Sequence, residues 1–423
     1  MAGAGQARAQ QPDTAAPLEV TLDEAIRRAL DVQPAIIQAR GTQRTAGASQ
    51  RAAFGAFLPS LTLSGGSAHA SGNRFNSSTN QIVSGPASTS YTGGLSANLV
   101  LFDGFARIAT SNAAAAAAQA ADAGYVNQRF QVTLATKQAF YATLSTADLL
   151  TVAVANTRQA QQQFDIAVQK LNAGSATRSD SLRSVVALGN AHIAEVQARA
   201  ALATAQAALG RQIGVNQPVR AAPDSTLAPF PDTVALQQQA FSQAPAVAQA
   251  DAQAHSARSL VTVARSQYFP TFSAGYSNGY TGFQAPWSST NSYVNNWTLR
   301  FSVSLPIFNG FTREQQLVSA SVDRDVAVAV AADTRRMVTE QLVQLVAALQ
   351  TAHEQIAIFA TNVEAATEDV RVQQERYRVG AGTILDLLTS EASLTSARTD
   401  LVVSRFNYNI ARAQLEALVG RTL

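Results

Sequence analysis

The hydrophobic pattern of this chain switches period, and it does so twice in the same order. Over residues 105–173 and again over 311–379, apolar side chains recur at helical spacing, as in Leu342, Val343, Leu345, Val346 and Leu349. The first stretch contains only Gly124 and the second contains neither Gly nor Pro. No proline falls between Pro86 and Pro218, and none follows Pro306. Proline costs about 3 kcal/mol in a helix interior and glycine about 1 kcal/mol. Their absence predicts two helices of roughly 100 Å each at 1.5 Å per residue, far above the globular mean of about 11–12 residues. Shorter helices are predicted over 177–209 and 383–419. Helices this long must bury a seam against partners, as in a coiled coil. Alanine runs such as Ala113 to Ala118 let the axes approach closely.

Between these stretches the period falls to two. Trp297 to Leu305 alternates strictly: Trp297, Leu299, Phe301, Val303 and Leu305 on one face, Thr298, Arg300, Ser302 and Ser304 on the other. That pattern predicts a strand with one apolar and one polar face. Leu95, Ala97, Leu99 and Leu101 alternate more weakly. Leu61 to Ser64 and Phe272 to Tyr280 read as first strands, so each half holds one hairpin, about 60–101 and about 270–306, with polar loops near 71–90 and 281–294. Strands of about 9–11 residues suffice to cross a bilayer when tilted. A soluble hairpin packed on a helix is the alternative. The membrane is preferred because no other element of the chain covers the apolar faces. Four strands cannot close a barrel, and open edges are not tolerated in lipid, so closure needs several chains.

The recurrence is an internal duplication. Leu101-Phe102-Asp103-Gly104-Phe105 returns as Ile307-Phe308-Asn309-Gly310-Phe311, and the same offset pairs Gly174 with Gly380, Thr177 with Thr383 and Asp180 with Asp386. It also pairs Leu209 with Leu415 and Gly214 with Gly420. Upstream, Pro34-Ala35 matches Pro245-Ala246 at an offset five residues longer, so the difference falls in the first hairpin. The chain therefore divides into a tail (1–17), a first repeat (18–215), a proline-rich linker (216–229) and a second repeat (230–423). In the tail, Ala7-Arg8-Ala9 has the small-x-small form of a signal-peptidase site without an apolar stretch before it. It is either the remnant of a signal peptide or a flexible tail.

Gly-x-x-Thr-x-x-Asp occurs once per repeat, at Gly174, Thr177, Asp180 and at Gly380, Thr383, Asp386. Glycine after a helix is a C-cap signal. Threonine followed three residues later by an acid resembles a capping box. Each long helix thus turns back into a shorter one. As caps the two aspartates favour the helix dipole; capping is a sufficient reading of Asp180, and it leaves a second role open to Asp386.

Composition narrows the function classes. Charged residues are only 14% of the chain, and 31 Lys+Arg against 28 Asp+Glu leave a formal charge of +3, too little for a nucleic-acid surface or polybasic anchor. With no cysteine, thiol catalysis, disulfides and cysteine metal sites are excluded. The histidines, His69, His192, His255 and His353, lie far apart. No Gly-x-Ser-x-Gly, phosphate loop or convergent His/acid set is present, so no enzymatic activity and no cofactor are expected.

The duplicated hairpins, the junctions Leu101 to Gly104 and Leu305 to Gly310, and the runs Tyr377-Arg378-Val379-Gly380 and Thr383-Ile384-Leu385-Asp386 together closely resemble the TolC-type outer-membrane efflux protein family, over about residues 18–421. The resemblance implies a mostly helical chain with a membrane β-barrel portion and a homotrimer whose hairpins form a 12-stranded barrel. Its coiled-coil helices would form an α-barrel tunnel through the periplasm, closed at the far tip. It implies an outer-membrane channel of a tripartite efflux or type I secretion system: a passive exit duct, docked by a periplasmic adaptor and an inner-membrane pump. The cell location implied is the outer membrane of a Gram-negative-type bacterium. Lacking cysteine, the chain is expected to be unlipidated.

Residue by residue, the resemblance implies closed-state links at Tyr377, Asp180, Ser179 and Arg378, with a hydrogen bond from the Tyr377 phenol to the Asp180 carboxylate. It implies a pore constriction at Asp386. Its second aspartate position is Thr389 here, with Glu391 nearby. The arginine expected after the turn is Gly382, for which Arg378 or Arg178 could substitute. A periplasmic coiled-coil adaptor or scaffold is the rival. It explains the helices and glycine turns but not two alternating hairpins in a duplicated chain.

Overall fold

The computed structural model describes residues 18–223, 229–231, 244–288 and 292–423. The expected tail (1–17), part of the linker (224–228), the start of the second repeat (232–243) and the tip of the second polar loop (289–291) lie outside them. The elements in chain order are β1 (Leu18–Val20), α1 (Leu22–Val32), α2 (Pro34–Gly55), β2 (Ser60–Asn76), β3 (Gln81–Phe102), α3 (Ala106–Asn172), α4 (Arg178–Ile213), β4 (Val219–Ala221), α5 (Pro245–Ser266), β5 (Thr271–Gly282), β6 (Tyr293–Ser304), α6 (Thr312–Arg378) and α7 (Ile384–Val419). The duplication is visible in the helix lengths: α3 and α6 each run 67 residues, and α4 and α7 each run 36.

The helix ends follow the capping chemistry. Thr177 and Thr383 accept from the backbone N–H groups of Asp180 and Asp386, and those carboxylates accept in return from the threonine N–H groups. Gly174 and Gly380, at φ +72° and +80°, end the long helices. The Ser175 N–H then reaches back to the Lys170 carbonyl at 2.9 Å, and the Ala381 N–H to the Arg376 carbonyl at 2.8 Å. This is the Schellman arrangement, which needs a left-handed residue that glycine supplies without a Cβ penalty.

Two compact units cut across the repeats. The first comprises Met1–Gly41, Ala123–Ala248 and Thr334–Leu423. Its coiled coils bury Phe140, Leu209 and Ile213 in one cluster and Leu342, Leu349, Tyr408 and Leu415 in another. β1 and β4 pair in parallel, Leu18 with Val219 and Val20 with Ala221. The stretch read as a linker thus carries a strand, with Val219 and Ala221 buried beside Val20.

The second unit comprises Thr42–Asp122 and Gln249–Asp333. Along α3, Ala109, Ala113, Ala116 and Ala120 are buried at heptad spacing. The side chains are small enough that the Ser256 hydroxyl of α5 reaches the Ala113 carbonyl at 3.1 Å. The sheet has the order β2-β3-β5-β6, all antiparallel. Its register lines up apolar positions in rows: Leu61, Ala97, Tyr276 and Leu299 across all four strands, and Leu63, Leu95 and Trp297 in a row that Asn278 interrupts. Leu99, Ala274 and Phe301 follow, then Phe102, Phe272 and Val303. The intervening rows are polar, for example Thr62, Ser96, Ser277 and Thr298. Leu305 lies one residue beyond β6, so the alternating face ends at Val303.

The first hairpin differs from expectation. Residues 71–90, read as a polar loop, are mostly strand: β2 continues to Asn76, β3 starts at Gln81, and only the short turn between them is loop. Ser, Thr, Asn and Gly predominate there, and the few apolar residues, such as Phe75, Ile82 and Val83, do not alternate, so no period marks the strands. Cross-strand backbone bonding, which leaves no trace in side-chain pattern, holds them together.

Where strand passes to helix, each repeat uses the same device. Phe105 and Phe311 sit at φ 71° and 64°, each after a left-handed glycine. An arginine gathers the carbonyls left behind by the departing strand. Arg107 donates to Leu101 O at 3.1 Å and lies over the Phe57 ring at 5.1 Å. Arg313 donates to Pro306 O at 2.8 Å and lies over Tyr268 at 4.7 Å. The planar fork and aromatic stacking are particular to arginine.

The two junction glycines make a matched test. A Cβ on Gly104 would lie 2.7 Å from both Phe269 Cβ and Ser266 O, whereas one on Gly310 would meet nothing within 4 Å. Gly310→Ala is expected to cost only the left-handed strain, about 1–2 kcal/mol. Gly104→Ala should lower the thermal midpoint distinctly further. Side-by-side circular-dichroism melts in detergent would show it, and equal losses would mean that the Phe269 segment yields freely.

Candidate functional site

The paired turns at residues 173–177 and 379–383 bring together the ends of α3 and α6 and the starts of α4 and α7, all within the first unit. Tyr377, on the last turn of α6, is 6% exposed and packs with Ile384, Leu387 and Leu388. Lys170 of α3 places its ammonium 4.1 Å above the Tyr377 ring and also donates to the Tyr377 carbonyl. One cation thus caps both the face of an aromatic ring and a carbonyl left free at a helix end. This contact joins the first repeat to the second.

The expected phenol–carboxylate bond is not formed within the chain. Tyr377 Oη is buried without a hydrogen-bond partner, while the Asp180 carboxylate accepts from the Thr177 N–H at 3.0 Å. Asp180 is still near enough to act: burial, and secondarily its negative charge, hold the Tyr377 phenol above the ordinary tyrosine range. The capping box satisfies Asp180 locally, so the carboxylate has no need to reach outward. Ser179 is exposed and lines an open groove with Leu182, Arg183, Val186, Leu385 and Leu388. Arg378 is exposed and pairs with Glu375 at 2.8 Å.

Asp386 and Thr389 lie one turn apart on one exposed face of α7. The Thr383 hydroxyl donates to Asp386 at 2.9 Å and the Thr383 N–H at 3.2 Å. These bonds, with a smaller contribution from the Arg376 charge, hold the Asp386 carboxyl below the usual aspartate range. Its cap is therefore intact above the ordinary aspartate pKa and is lost as pH falls through the lowered value. Thr389 donates to the Leu385 carbonyl at 2.8 Å, within its own helix. The cation that acts on Asp386 is Arg376, rather than Arg378 or Arg178. Gly382 allows this, since a Cβ there would stand 3.1 Å from Arg376 Cβ.

Sequence reasoning missed a second layer of contacts between α3 and α7. Glu391 is buried and accepts from Gln159 Nε2 at 3.0 Å, and Thr395 donates to Asn156 Oδ1 at 3.2 Å. Its trace was there to read: Asn156, Gln159 and Gln163 put amides where a coiled-coil seam is normally apolar. Lys170 left a fainter one, being indistinguishable by spacing from a solvated cation near a helix C-terminus.

Comparison with known proteins agrees with this architecture. A family profile described as outer membrane efflux protein matches residues 25–215 and 236–421. Protein CyaE of Bordetella pertussis is 30% identical over 320 residues, 70% of this chain and 64% of that protein. Outer membrane protein TolC of Escherichia coli is 24% identical over 312 residues, 71% of this chain and 63% of that one. The chain thus spans just under two thirds of the length of these relatives. The crystal structure of the outer membrane protein VceC from Vibrio cholerae shares the fold, with a TM-score of 0.82 at 19% identity, covering 95% of this chain and 96% of that one. With two profile matches that coincide with the duplicated halves and a fold that superposes along nearly its whole length, this chain belongs to the outer membrane efflux protein family.

Proposed function

We propose that three copies of this chain form a channel in the outer membrane of a Gram-negative-type bacterium, a passive exit duct for an efflux or secretion system. The observation that carries the reading is the sheet. Its apolar positions line up across neighbouring strands, over all four at Leu61, Ala97, Tyr276 and Leu299 and over three in the two rows that follow, with Trp297, Leu299, Phe301 and Val303 all more than half exposed, and β2 and β6 end it on unpaired edges. An apolar face of this extent fits lipid. Open edges there require strand partners, which further copies supply. Three copies give a closed barrel of twelve strands, with Thr298, Arg300 and Ser302 lining the lumen. Among the described residues no helix is long and apolar enough to cross a membrane, which leaves the sheet as the spanning element.

The long helices then form the periplasmic tunnel, and the paired turns its far end, where a periplasmic adaptor and an inner-membrane pump dock. The family's description as an efflux protein supports this direction of transport. Asp386 and Thr389 line the constriction. No step of the proposed function makes or breaks a covalent bond. A periplasmic adaptor of coiled-coil hairpins would leave the apolar sheet face without a purpose.

Replacing Phe301 by Arg is expected to cost about 2–4 kcal/mol if the residue sits at the bilayer midplane. Native mass spectrometry should find a trimer for the parent protein in detergent and loss of trimer for the variant; a detergent-free monomer would overturn the assignment. Asp386→Ala should lower cation preference and block by trivalent cations in planar bilayers, because a ring of three carboxylates attracts cations. Unchanged selectivity would leave Asp386 a helix cap. At the Lys170–Tyr377 contact, Lys170→Met should raise single-channel conductance several-fold. A cation–π contact is worth about 0.5–2 kcal/mol, and three copies multiply the bias toward closure. Tyr377→Phe should leave conductance near the parent value, since it deletes a hydroxyl with no partner in the chain. The reverse pattern would restore the phenol as the lock.

A further inference from the structure

Above the paired turns, three helices converge on one carboxyl group. Glu391 of α7 is 7% exposed and faces Gln159 and Gln163, one turn apart on α3, and Gln374 on α6. The Gln159 amide donates to it at 3.0 Å, and the Gln163 and Gln374 amides lie close enough to favour its charged form. The charged and titratable groups next to it along its own and the packed helices are Arg158 and Asp165 on α3, Arg183 and His192 on α4, Arg371, Glu375 and Tyr377 on α6, and Asp386 and Arg398 on α7. None of them acts on the Glu391 carboxyl. A carboxylate held away from water by neutral donors alone is poorly compensated. Burial pushes its pKa up, and the three amides pull it only part of the way back.

The cage also suits the neutral acid. Gln163 is 5% exposed, and its Oε1 is buried without a hydrogen-bond partner. A carboxyl O–H needs an acceptor, and a half-turn of the Gln163 amide presents this oxygen in place of its NH₂. The same cage therefore serves both protonation states, as donor to one and acceptor from the other.

We infer that Glu391 is a proton-operated latch: protonated, it fastens α7 and α6 of the second repeat to α3 of the first; ionised, it favours their separation. The inference rests on the channel reading. Separation would hydrate the carboxyl and return it to the ordinary glutamate pKa. The fastened state thus binds the proton more tightly. Its advantage is complete below the ordinary glutamate value and is lost as pH rises through the raised one. One proton per chain limits the response to about tenfold per pH unit, or about a thousandfold for three chains moving together.

The chain has no cysteine, so a spin-label pair can be placed cleanly at Ala173→Cys and Val379→Cys, both exposed sites beside the paired turns. In the full-length protein in detergent, the distance across this pair should lengthen as pH rises from about 4 to about 8, and single-channel conductance should rise with it. Glu391→Gln, which fits the amide cage and cannot ionise, should hold the short distance throughout. Gln163→Leu, lacking the acceptor, should lose the short distance even in acid. A Glu391→Gln protein that keeps the parent's pH response, or a parent whose distance ignores pH, overturns the latch. A distance that follows pH without any conductance would support the latch and sink the channel reading; conductance with a pH-independent distance would do the opposite.

Discussion

An amide N–H or carbonyl oxygen left unpaired in hydrocarbon costs several kcal/mol, and no water is there to relieve it. Where its four strands lie side by side, the sheet of this chain meets that constraint on the inner strands β3 and β5 and leaves it open along β2 and β6. Those two edges govern the rest of the architecture. In the proposed channel they make a single copy incomplete, and the number of copies follows from how many strands a barrel needs. A sheet built this way has no use for a buried core of its own, which is why its apolar side chains are so exposed in the isolated chain. Where the chain leaves the sheet the same constraint reappears in miniature. Arg107 and Arg313 take up strand-end carbonyls that no neighbouring strand can reach.

The helices answer a different demand. At 67 residues, α3 and α6 lie far outside the ordinary range, and isolated helices owe most of their stability to packing. Alanine at heptad spacing gives close approach near the sheet, and larger side chains such as Leu342, Leu349 and Tyr408 fill the seam in the other unit. Toward the turns the seam becomes polar, with Asn156, Gln159, Gln163 and Glu391 replacing aliphatic residues. A coiled coil weakened by amides is easier to part and better at keeping register. Both properties suit the tip of the proposed channel.

Much of this was legible in the sequence because it depends on local rules. The long and short helices end within a few residues of the positions set by Gly174, Thr177, Gly380 and Thr383. The strict alternation from Trp297 marks β6 directly. Three things were hidden, each for a physical reason. The outer half of the first hairpin is mostly Ser, Gly, Thr and Asn, with isolated apolar residues that do not alternate, so its strands have no period to read. The β1–β4 pair joins three-residue segments some two hundred positions apart, and a pairing so short and so distant leaves no local pattern. At the turns, sequence likeness pointed to Tyr377 and Asp180 as partners. Satisfaction of Asp180 by its own helix cap, and the arrival of Lys170 from another helix, are facts of packing that no spacing encodes.

The equal lengths of the duplicated helices also constrain how such a protein can change over time. One residue added to α3 alone would advance its lower end by about 1.5 Å and rotate it by about 100°. That would carry Lys170 off the Tyr377 ring and swing Gln159 out of the seam. Only insertions close to a whole number of heptads restore the facing side. Even those would leave the turn at Gly174 standing below the turn at Gly380 unless the same piece were added to α6. The paired helices can therefore lengthen or shorten only by matched steps in both halves of the gene, and point substitution is left as the main route by which the turn region can diverge.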